Sequence, residues 1–105
     1  MLVVNRFRVS ESQAAAFREQ LQQARDVLAA QTGYVDGSVG RNLDEPDLWM
    51  LTTRWESVGA YRRALSTYDV KLSAVPILSQ AVDEPSAYEV VEPESVLNVA
   101  DARVT

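Results

Sequence analysis

The spacing of hydrophobic residues alternates along this chain between a two-residue period, typical of strands, and a 3.6-residue period, typical of helices. The order of these segments predicts the fold. Residues 2–9 alternate in parity, and one parity is mostly apolar: Val3, Asn5, Phe7 and Val9. Apolar residues then recur at helical spacing: Ala14, Phe17, Leu21, Ala24 and Leu28. Ser10 and Gln13 fit a capping box before this helix, and Gly33 fits its C-terminal stop. The sequence therefore begins with a strand and a long amphipathic helix.

The next segment has the pattern of a β-hairpin. Residues 34–42 predict a strand with Val35 and Val39 on one parity, weakened or bulged at Gly37. The turn residues Asp-Glu-Pro-Asp at 44–47 separate it from a second strand. This second strand places four residues on one face: Trp49, Leu51, Thr53 and Trp55. We expect the two strands to pair as neighbours.

Two helical stretches and a short apolar run follow the hairpin. Ser57 is the expected N-cap of a helix whose apolar residues are Val58, Tyr61 and Leu65. A second helical stretch runs from residue 68 until Pro76 interrupts it, and residues 87–92 predict the last strand. The order β-α-β-β-α-β is that of α+β, ferredoxin-like folds, with a four-stranded antiparallel sheet and the helices on one face.

The length and the pattern together predict one domain and a tail. Residues 1–92 carry all the predicted elements, and residues 93–105 have no clear period. The tail either frays or crosses a partner subunit, because Val96, Leu97, Val99 and Val104 are apolar enough to pack on something.

Both faces of the predicted sheet carry apolar side chains. Leu2 and Val4 lie opposite the parity of Val3 and Phe7, and the third strand repeats the pattern with Leu48 and Met50 opposite Trp49 and Leu51. The chain predicts no further helix to cover this second face. A symmetric copy of the same sheet is the simplest cover, so we expect a homodimer.

Composition excludes several classes of chemistry. The chain has neither Cys nor His, which excludes disulfides, Cys/His or Ser/His/Asp triads, and metal sites that use thiolate or imidazole. A general base must then be a carboxylate, a shifted Lys or Tyr, or the substrate. Residues 37–40, Gly-Ser-Val-Gly, are too sparse for a dinucleotide fingerprint. We expect no metal, haem or flavin cofactor.

Charge and hydropathy also limit the partners and the location. The net charge is −5, and only Arg62 and Arg63 are adjacent cations, so nucleic acid is not an expected partner. The first apolar run, residues 2–4, is too short for a signal peptide or a membrane span. We expect a cytoplasmic protein that does not contact membranes.

Residues 55–61, Trp-Glu-Ser-Val-Gly-Ala-Tyr, resemble the W-E-S-x-x-A-Y signature of the antibiotic biosynthesis monooxygenase family. Asn5-Arg6 and Gly33-Tyr34 fall where members carry a strand Asn and a P-G-F-like turn. The resemblance implies a dimeric α+β barrel with a pocket between the sheet and the helices of each protomer.

The resemblance implies two kinds of activity. Some members oxidise phenolic polyketide intermediates to quinones with dioxygen and no metal or flavin, and others degrade haem. The haem branch needs an axial His and a helix Trp, which fall near Ala74 and Ala64 here, so haem degradation is disfavoured. The quinone-forming branch carries a Trp and a Tyr that map to Trp55 and Tyr61. This branch also carries an Asn four residues before its Trp. The corresponding residue in this chain is Leu51, so an amide donor must come from Asn5.

These observations predict catalytic roles for Asn5, Trp55 and Tyr61, and a place at the pocket mouth for Tyr68 and Lys71. The leading hypothesis is a cofactor-independent monooxygenase acting on a small aromatic or phenolic compound. The alternatives are a non-catalytic dimeric barrel that binds a small apolar ligand, and a dimeric scaffold without a pocket. In the alternatives, the Asn5 amide is hydrogen-bonded to neighbouring backbone in the sheet or the core, and Trp55 and Tyr61 belong to the core. Tyr68 and Lys71 then lie on a face exposed to solvent. An apolar pocket of about 300 Å³ or more, with donors from Asn5 and Tyr61, would favour the enzyme.

Overall fold

A computed structural model describes residues 1–97, which form a four-stranded antiparallel sheet with helices on one face. This confirms the predicted α+β, ferredoxin-like class. In chain order the elements are β1 (Leu2–Arg8), a 3-10 turn (Glu11–Gln13), α1 (Ala14–Ala29), β2 (Tyr34–Arg41), β3 (Leu48–Trp55), α2 (Val58–Leu65), α3 (Tyr68–Ser73), α4 (Val75–Leu78) and β4 (Ala87–Tyr88). Residues 98–105, the end of the predicted tail, lie outside the described residues.

The sheet has the strand order β2-β3-β1-β4. β1 pairs with β3 along its whole length, from Leu2 opposite Arg54 to Arg8 opposite Leu48. β4 pairs with β1 only through Ala87 and Tyr88, so the predicted last strand over residues 87–92 is too long. The reason is that Tyr88 already lies opposite Leu2, where β1 begins, and the later residues have no strand beside them.

The core lies between the sheet and the helices. The predicted inward face of α1 is confirmed, because Phe17, Leu21, Ala24 and Leu28 are all buried. The inward residues of the sheet are buried against them: Val3, Phe7, Trp49, Leu51, Thr53 and Trp55. α3 and α4 complete the cover with Val70 and Ile77. No helix within residues 1–97 is both long and apolar enough to cross a membrane.

The two predicted helix caps have different outcomes. Ser57 caps α2 as predicted, since its hydroxyl oxygen accepts a hydrogen bond from the Ala60 N–H at 3.1 Å, a contact that contributes about 1 kcal/mol. The capping box at Ser10 is wrong, because a 3-10 turn intervenes and Gln13 is the residue that precedes α1. The Ser10 hydroxyl instead lies 3.3 Å from the Ser12 hydroxyl.

A bulge in β2 changes which of its residues face the core. The pairing of β2 with β3 shifts register between Tyr34 and Asp36, so the extra residue is Val35 and not Gly37. Val35 is 54% exposed, whereas Tyr34 and Val39 pack against the core, so the predicted shared face of Val35 and Val39 is wrong. Gly37 has another role: a Cβ there would lie 2.5 Å from the Tyr34 hydroxyl, so glycine lets the Tyr34 side chain cross the strand.

The buried face of α2 also differs from the prediction. Its buried residues are Ala60 and Ala64, while Tyr61 and Leu65 are only partly buried. Val58 is 46% exposed. Since Val58 precedes Ala60 by two residues, it lies about 200° away around the helix axis and faces solvent.

Candidate functional site

Asn5 occupies the middle of β1, and its side chain faces the helices, as the parity of Val3 and Phe7 predicts. Its direct cross-strand partner is Leu51 on β3. The side chain is half-buried, and within residues 1–97 its amide has no hydrogen-bond partner. The amide therefore keeps both N–H donors and its oxygen available for a ligand.

A cavity of about 350 Å³ borders Asn5, beneath the end of α4 and the loop that leads to β4. Its apolar wall consists of Val4, Leu78, Ala81 and Val82. The remaining lining is mostly polar: Arg6, Ser79, Asp83, Glu84 and Ser86. The volume meets the size expected for a ligand site, but the lining is more polar than the sequence analysis required.

The cavity lies where the backbone of the loop is hydrogen-bonded to β1 on either side of residues 83–85. The Val82 N–H donates to the Arg6 carbonyl at 2.7 Å, and the Val4 N–H donates to the Ser86 carbonyl at 2.7 Å. These anchors lie two residues apart on β1 but four residues apart on the loop. Residues 83–85 therefore arch away from the strand at the level of Asn5, and the arch leaves a space there.

Trp55 and Tyr61 meet in an aromatic cluster that also contains Tyr34. The Trp55 ring lies 5.5 Å from that of Tyr61 and 5.4 Å from that of Tyr34, between ring centroids. The indole N–H of Trp55 donates to the Thr53 hydroxyl oxygen at 2.8 Å, so its donor is already in use. Tyr34 was not predicted as a member of this cluster, although its place in the Gly33-Tyr34 pair, which resembles the P-G-F-like turn of the family, was a usable signal.

Burial raises the pKa of the Tyr61 hydroxyl. The pKa of Tyr34 is raised by the same cause. Both hydroxyls therefore keep their protons through the ordinary pH range and act as neutral donors. Neither hydroxyl has a hydrogen-bond partner in the part of the chain that the structure describes.

The predicted catalytic residues do not line one cavity. Trp55 lies four residues from Leu51 along β3, so Asn5 and Trp55 are separated by roughly 13 Å on the same sheet face. The described lining of the cavity beside Asn5 contains neither Trp55 nor Tyr61. Tyr68, which is 75% exposed, and Lys71 lie on the outer face of α3 and do not line it either.

The cavity offers an amide to a ligand oxygen but little for a cofactor, and its charged lining consists of Asp83 and the paired Arg6 and Glu84. Residues 1–97 contain no group of three or more Asp, Glu, His or Cys side chains that could hold a metal ion. The positions corresponding to the haem-branch Trp and His, Ala64 and Ala74, are buried core residues, so these residues do not fit haem. The Ser79 hydroxyl already donates to the Pro76 carbonyl, whereas the Asn5 amide and the Ser86 hydroxyl have no hydrogen-bond partner within residues 1–97.

The fold is shared with several solved structures. One is SnoaB, a cofactor-independent oxygenase from Streptomyces nogalater, with a TM-score of 0.68, 23% identity, and 89% of this chain and 96% of that chain covered. A protein from Deinococcus radiodurans named as a candidate antibiotic biosynthesis monooxygenase gives a TM-score of 0.71 at 20% identity, covering 93% of this chain and 100% of that chain. A conserved protein from Methanosarcina mazei gives a TM-score of 0.66 at 19% identity, covering 82% of this chain and 84% of that chain.

Sequence comparison identifies the family. No functionally curated protein matches the sequence of this chain. The family profile described as antibiotic biosynthesis monooxygenase matches residues 1–72, which include β1, the hairpin and the whole Trp-Glu-Ser segment. This confirms the resemblance that the sequence motifs indicated. The chain therefore belongs to the antibiotic biosynthesis monooxygenase family.

Proposed function

We propose that this protein oxidises a small phenolic compound with dioxygen, without metal or flavin, in the cavity beside Asn5. The observation that carries the proposal is the Asn5 amide, which is half-buried, has no partner within residues 1–97, and borders a cavity of about 350 Å³. Because the amide atoms of Asn5 are accessible within the cavity, a ligand oxygen would take the place of water as their hydrogen-bond partner.

The oxidation requires few functional groups from the protein. A phenolate or enolate is electron-rich enough to reduce dioxygen, provided that its site stabilises the anion and excludes water. For an anthrone, the ring CH₂ becomes a carbonyl, one oxygen atom enters the product, and the other leaves as water. The substrate supplies all four electrons, so no further reductant is needed. The Asn5 N–H groups would donate to the substrate oxygen as its negative charge develops.

The position of Asn5 supports this role. The quinone-forming branch of the family carries its amide on β3, where this chain has the buried Leu51. Asn5 is directly opposite Leu51, and directly paired residues have Cβ atoms about 4.5 to 5.5 Å apart. An amide on β1 can therefore serve nearly the same place on the sheet. Dioxygen uptake by the purified protein supplied with an anthrone tests the proposal.

One observation favours the non-catalytic alternative, a barrel that binds a small ligand. Trp55 is buried with its N–H bonded to Thr53, and it packs between Tyr34 and Tyr61. This is the arrangement of core aromatics as much as that of a pocket wall. The catalytic roles of Trp55 and Tyr61, and the places of Tyr68 and Lys71 at the pocket mouth, stay predictions.

We also propose that the protein acts as a homodimer, the general state of this family. The sheet face opposite the helices, here called the open face, carries the apolar residues Leu2, Val4, Leu48 and Met50. Three arginines on this face each have a carboxylate partner within the chain: Arg6 with Glu84, Arg8 with Glu45 and Asp47, and Arg54 with Asp36. A second copy can therefore cover this face without meeting unpaired like charges.

Met50→Glu is expected to convert the dimer to a monomer. Met50 lies on β3 in the middle of the open face, opposite Arg6, which is already paired with Glu84, so a glutamate there would add a second carboxylate that must lose its water at the interface. Sedimentation equilibrium at micromolar concentration should return twice the chain mass for the parent protein and one chain mass for M50E. Val58→Glu is the control, since Val58 is exposed on α2 and should leave the dimer intact. A monomeric parent would contradict the proposed assembly.

A further inference from the structure

We propose that the hairpin loop between β2 and β3, residues 42–47, anchors the homodimer, and that Leu43 of each copy enters a hollow beside Leu48 and Met50 on the open face of the other. The inference rests on the homodimer proposed above and names the place where its two copies meet. It concerns the sheet face opposite the helices, so it does not depend on oxidation in the Asn5 cavity.

Leu43 is 98% exposed, so its side chain contacts almost nothing within its own chain. A single exposed leucine is ordinary on a protein surface, and exposure alone does not indicate an interface. Two further features distinguish Leu43: its loop is held in one conformation, and the loop lies beside an apolar hollow.

The loop is held by hydrogen bonds on both sides of Leu43. The Asn42 side-chain oxygen accepts hydrogen bonds from the Asp44 and Glu45 N–H groups, which fixes the backbone around Leu43. The Asn42 N–H donates to the Leu48 carbonyl at 2.8 Å, and the Leu48 N–H donates to the Glu45 carbonyl at 3.0 Å. A loop that is ordered before binding loses little conformational entropy on docking, so an ordered Leu43 can contribute most of its burial to affinity.

The hollow beside Leu43 has a volume of about 510 Å³. Its apolar wall consists of Leu43, Leu48 and Met50, and Gly40 lies opposite Met50 in the neighbouring strand. A Cβ at Gly40 would lie 3.1 Å from the Met50 Cε, so the glycine leaves space for the Met50 side chain and for an incoming group. The hollow is therefore able to receive an apolar side chain.

The charged residues of the lining leave this apolar wall as the main contact for a partner. Arg6 is already paired with Glu84. The Arg41 Nε donates to the Pro46 carbonyl at 2.7 Å. Asp44 is exposed in the loop, where its carboxylate keeps its water. An arriving leucine therefore does not have to displace a buried charge.

A projecting leucine and an apolar hollow on one surface complement each other, so the occupant that fits is a second copy of this chain. A two-fold axis brings the same patch of both copies together, and each Leu43 then meets the hollow of the other copy. Because Leu43 itself borders the hollow, the axis must pass close to the loop, with the two hairpins side by side. Leu48 and Met50 belong to both the hollow and the open face, so loop and sheet would form one continuous interface.

Leu43→Cys tests this geometry, because the chain has no other cysteine. If the two hairpins lie side by side at the axis, a short bis-maleimide should join two L43C chains into a covalent dimer. Leu72→Cys is the control, since Leu72 is 62% exposed on α3, on the helix side of the sheet, and should stay mostly unlinked. A covalent dimer from L72C but not from L43C would place the interface elsewhere and overturn the proposal.

Leu43→Asp should raise the dissociation constant of the dimer about 10²-fold or more, because each dimer would lose two buried leucines. Leu43→Met, which keeps an apolar side chain of similar size, should stay within about tenfold of the parent. Leu72→Asp should not change the constant. Sedimentation equilibrium over a dilution series measures all four proteins. A dimeric parent whose dissociation constant is unchanged in L43D would overturn the anchor and leave the homodimer standing, whereas a monomeric parent would contradict both.

Discussion

Asn5→Ala is expected to slow anthrone oxidation by about 10²- to 10³-fold, which corresponds to about 2.7 to 4 kcal/mol in the barrier, as for other single donors to a developing oxyanion. The melting temperature should change little, because the Asn5 amide has no hydrogen-bond partner within residues 1–97 that the substitution would remove. Dioxygen consumption and thermal unfolding should be measured on the same samples, so that each rate refers to folded protein.

Asn42→Ala is the matched control for this variant. The Asn42 side-chain oxygen accepts hydrogen bonds from the Asp44 and Glu45 N–H groups, at 2.9 and 2.8 Å, and lies in the exposed hairpin loop. Its loss should lower the free energy of unfolding by about 0.5 to 2 kcal/mol, as for other side-chain caps of backbone N–H groups, and leave the oxidation rate per folded molecule unchanged. An N5A protein that stays folded and keeps the parent rate would remove Asn5 from the site.

Gly33→Ala is expected to lower the free energy of unfolding by about 2 to 6 kcal/mol, through strain in the backbone and overpacking. Gly33 has a φ of +90°, a conformation that favours glycine. A Cβ there would lie 2.4 Å from the Ala60 Cβ, at the place where the turn before β2 contacts α2. The Glu56 N–H also bonds to the Gly33 carbonyl at 2.8 Å, so the clash cannot be relieved by moving the turn alone. Denaturant unfolding measures the change.

Gly59→Ala provides the comparison, because Gly59 lies on α2 next to Ala60. A Cβ there would meet the Arg63 guanidinium at 3.2 Å, the far end of a flexible side chain that can move. Removing a glycine from a helix should stabilise the protein by up to about 1 kcal/mol. If G33A and G59A unfold at the same denaturant concentration, the close approach of Gly33 and Ala60 does not constrain the fold.

The sequence predicted the elements whose periods are long or strictly alternating. α1 and β3 were predicted with their buried residues because each carries a whole face of apolar side chains, from Phe17 to Leu28 and from Trp49 to Trp55. One residue of the family motif, Ala60, makes a contact that could not be predicted from the sequence. Ala60, within the motif, is small because it meets Gly33, a residue that the sequence identified separately as a helix stop.

Features that depend on neighbouring strands were not predictable from the sequence. The bulge at Val35 depends on the pairing of β2 with β3, and parity alone placed Val35 on the wrong face. The length of β4 depends on where β1 begins, which local propensity does not report. The same limit applies to the site: the sequence placed Asn5 facing the helices, but the cavity beside it results from unequal spacing of the two loop anchors at Val82 and Ser86.

Dioxygen uptake by the parent protein tests the central proposal most directly. Protein freed of metal by a chelator, and without added flavin or haem, is supplied with an anthrone in an oxygen-electrode cell, and the product is identified by mass. The proposal predicts that dioxygen is consumed faster than in the protein-free solution, in equal amount to an anthraquinone formed, with one product oxygen derived from ¹⁸O₂. Uptake no faster than without protein, or uptake that requires added flavin or metal, would contradict it.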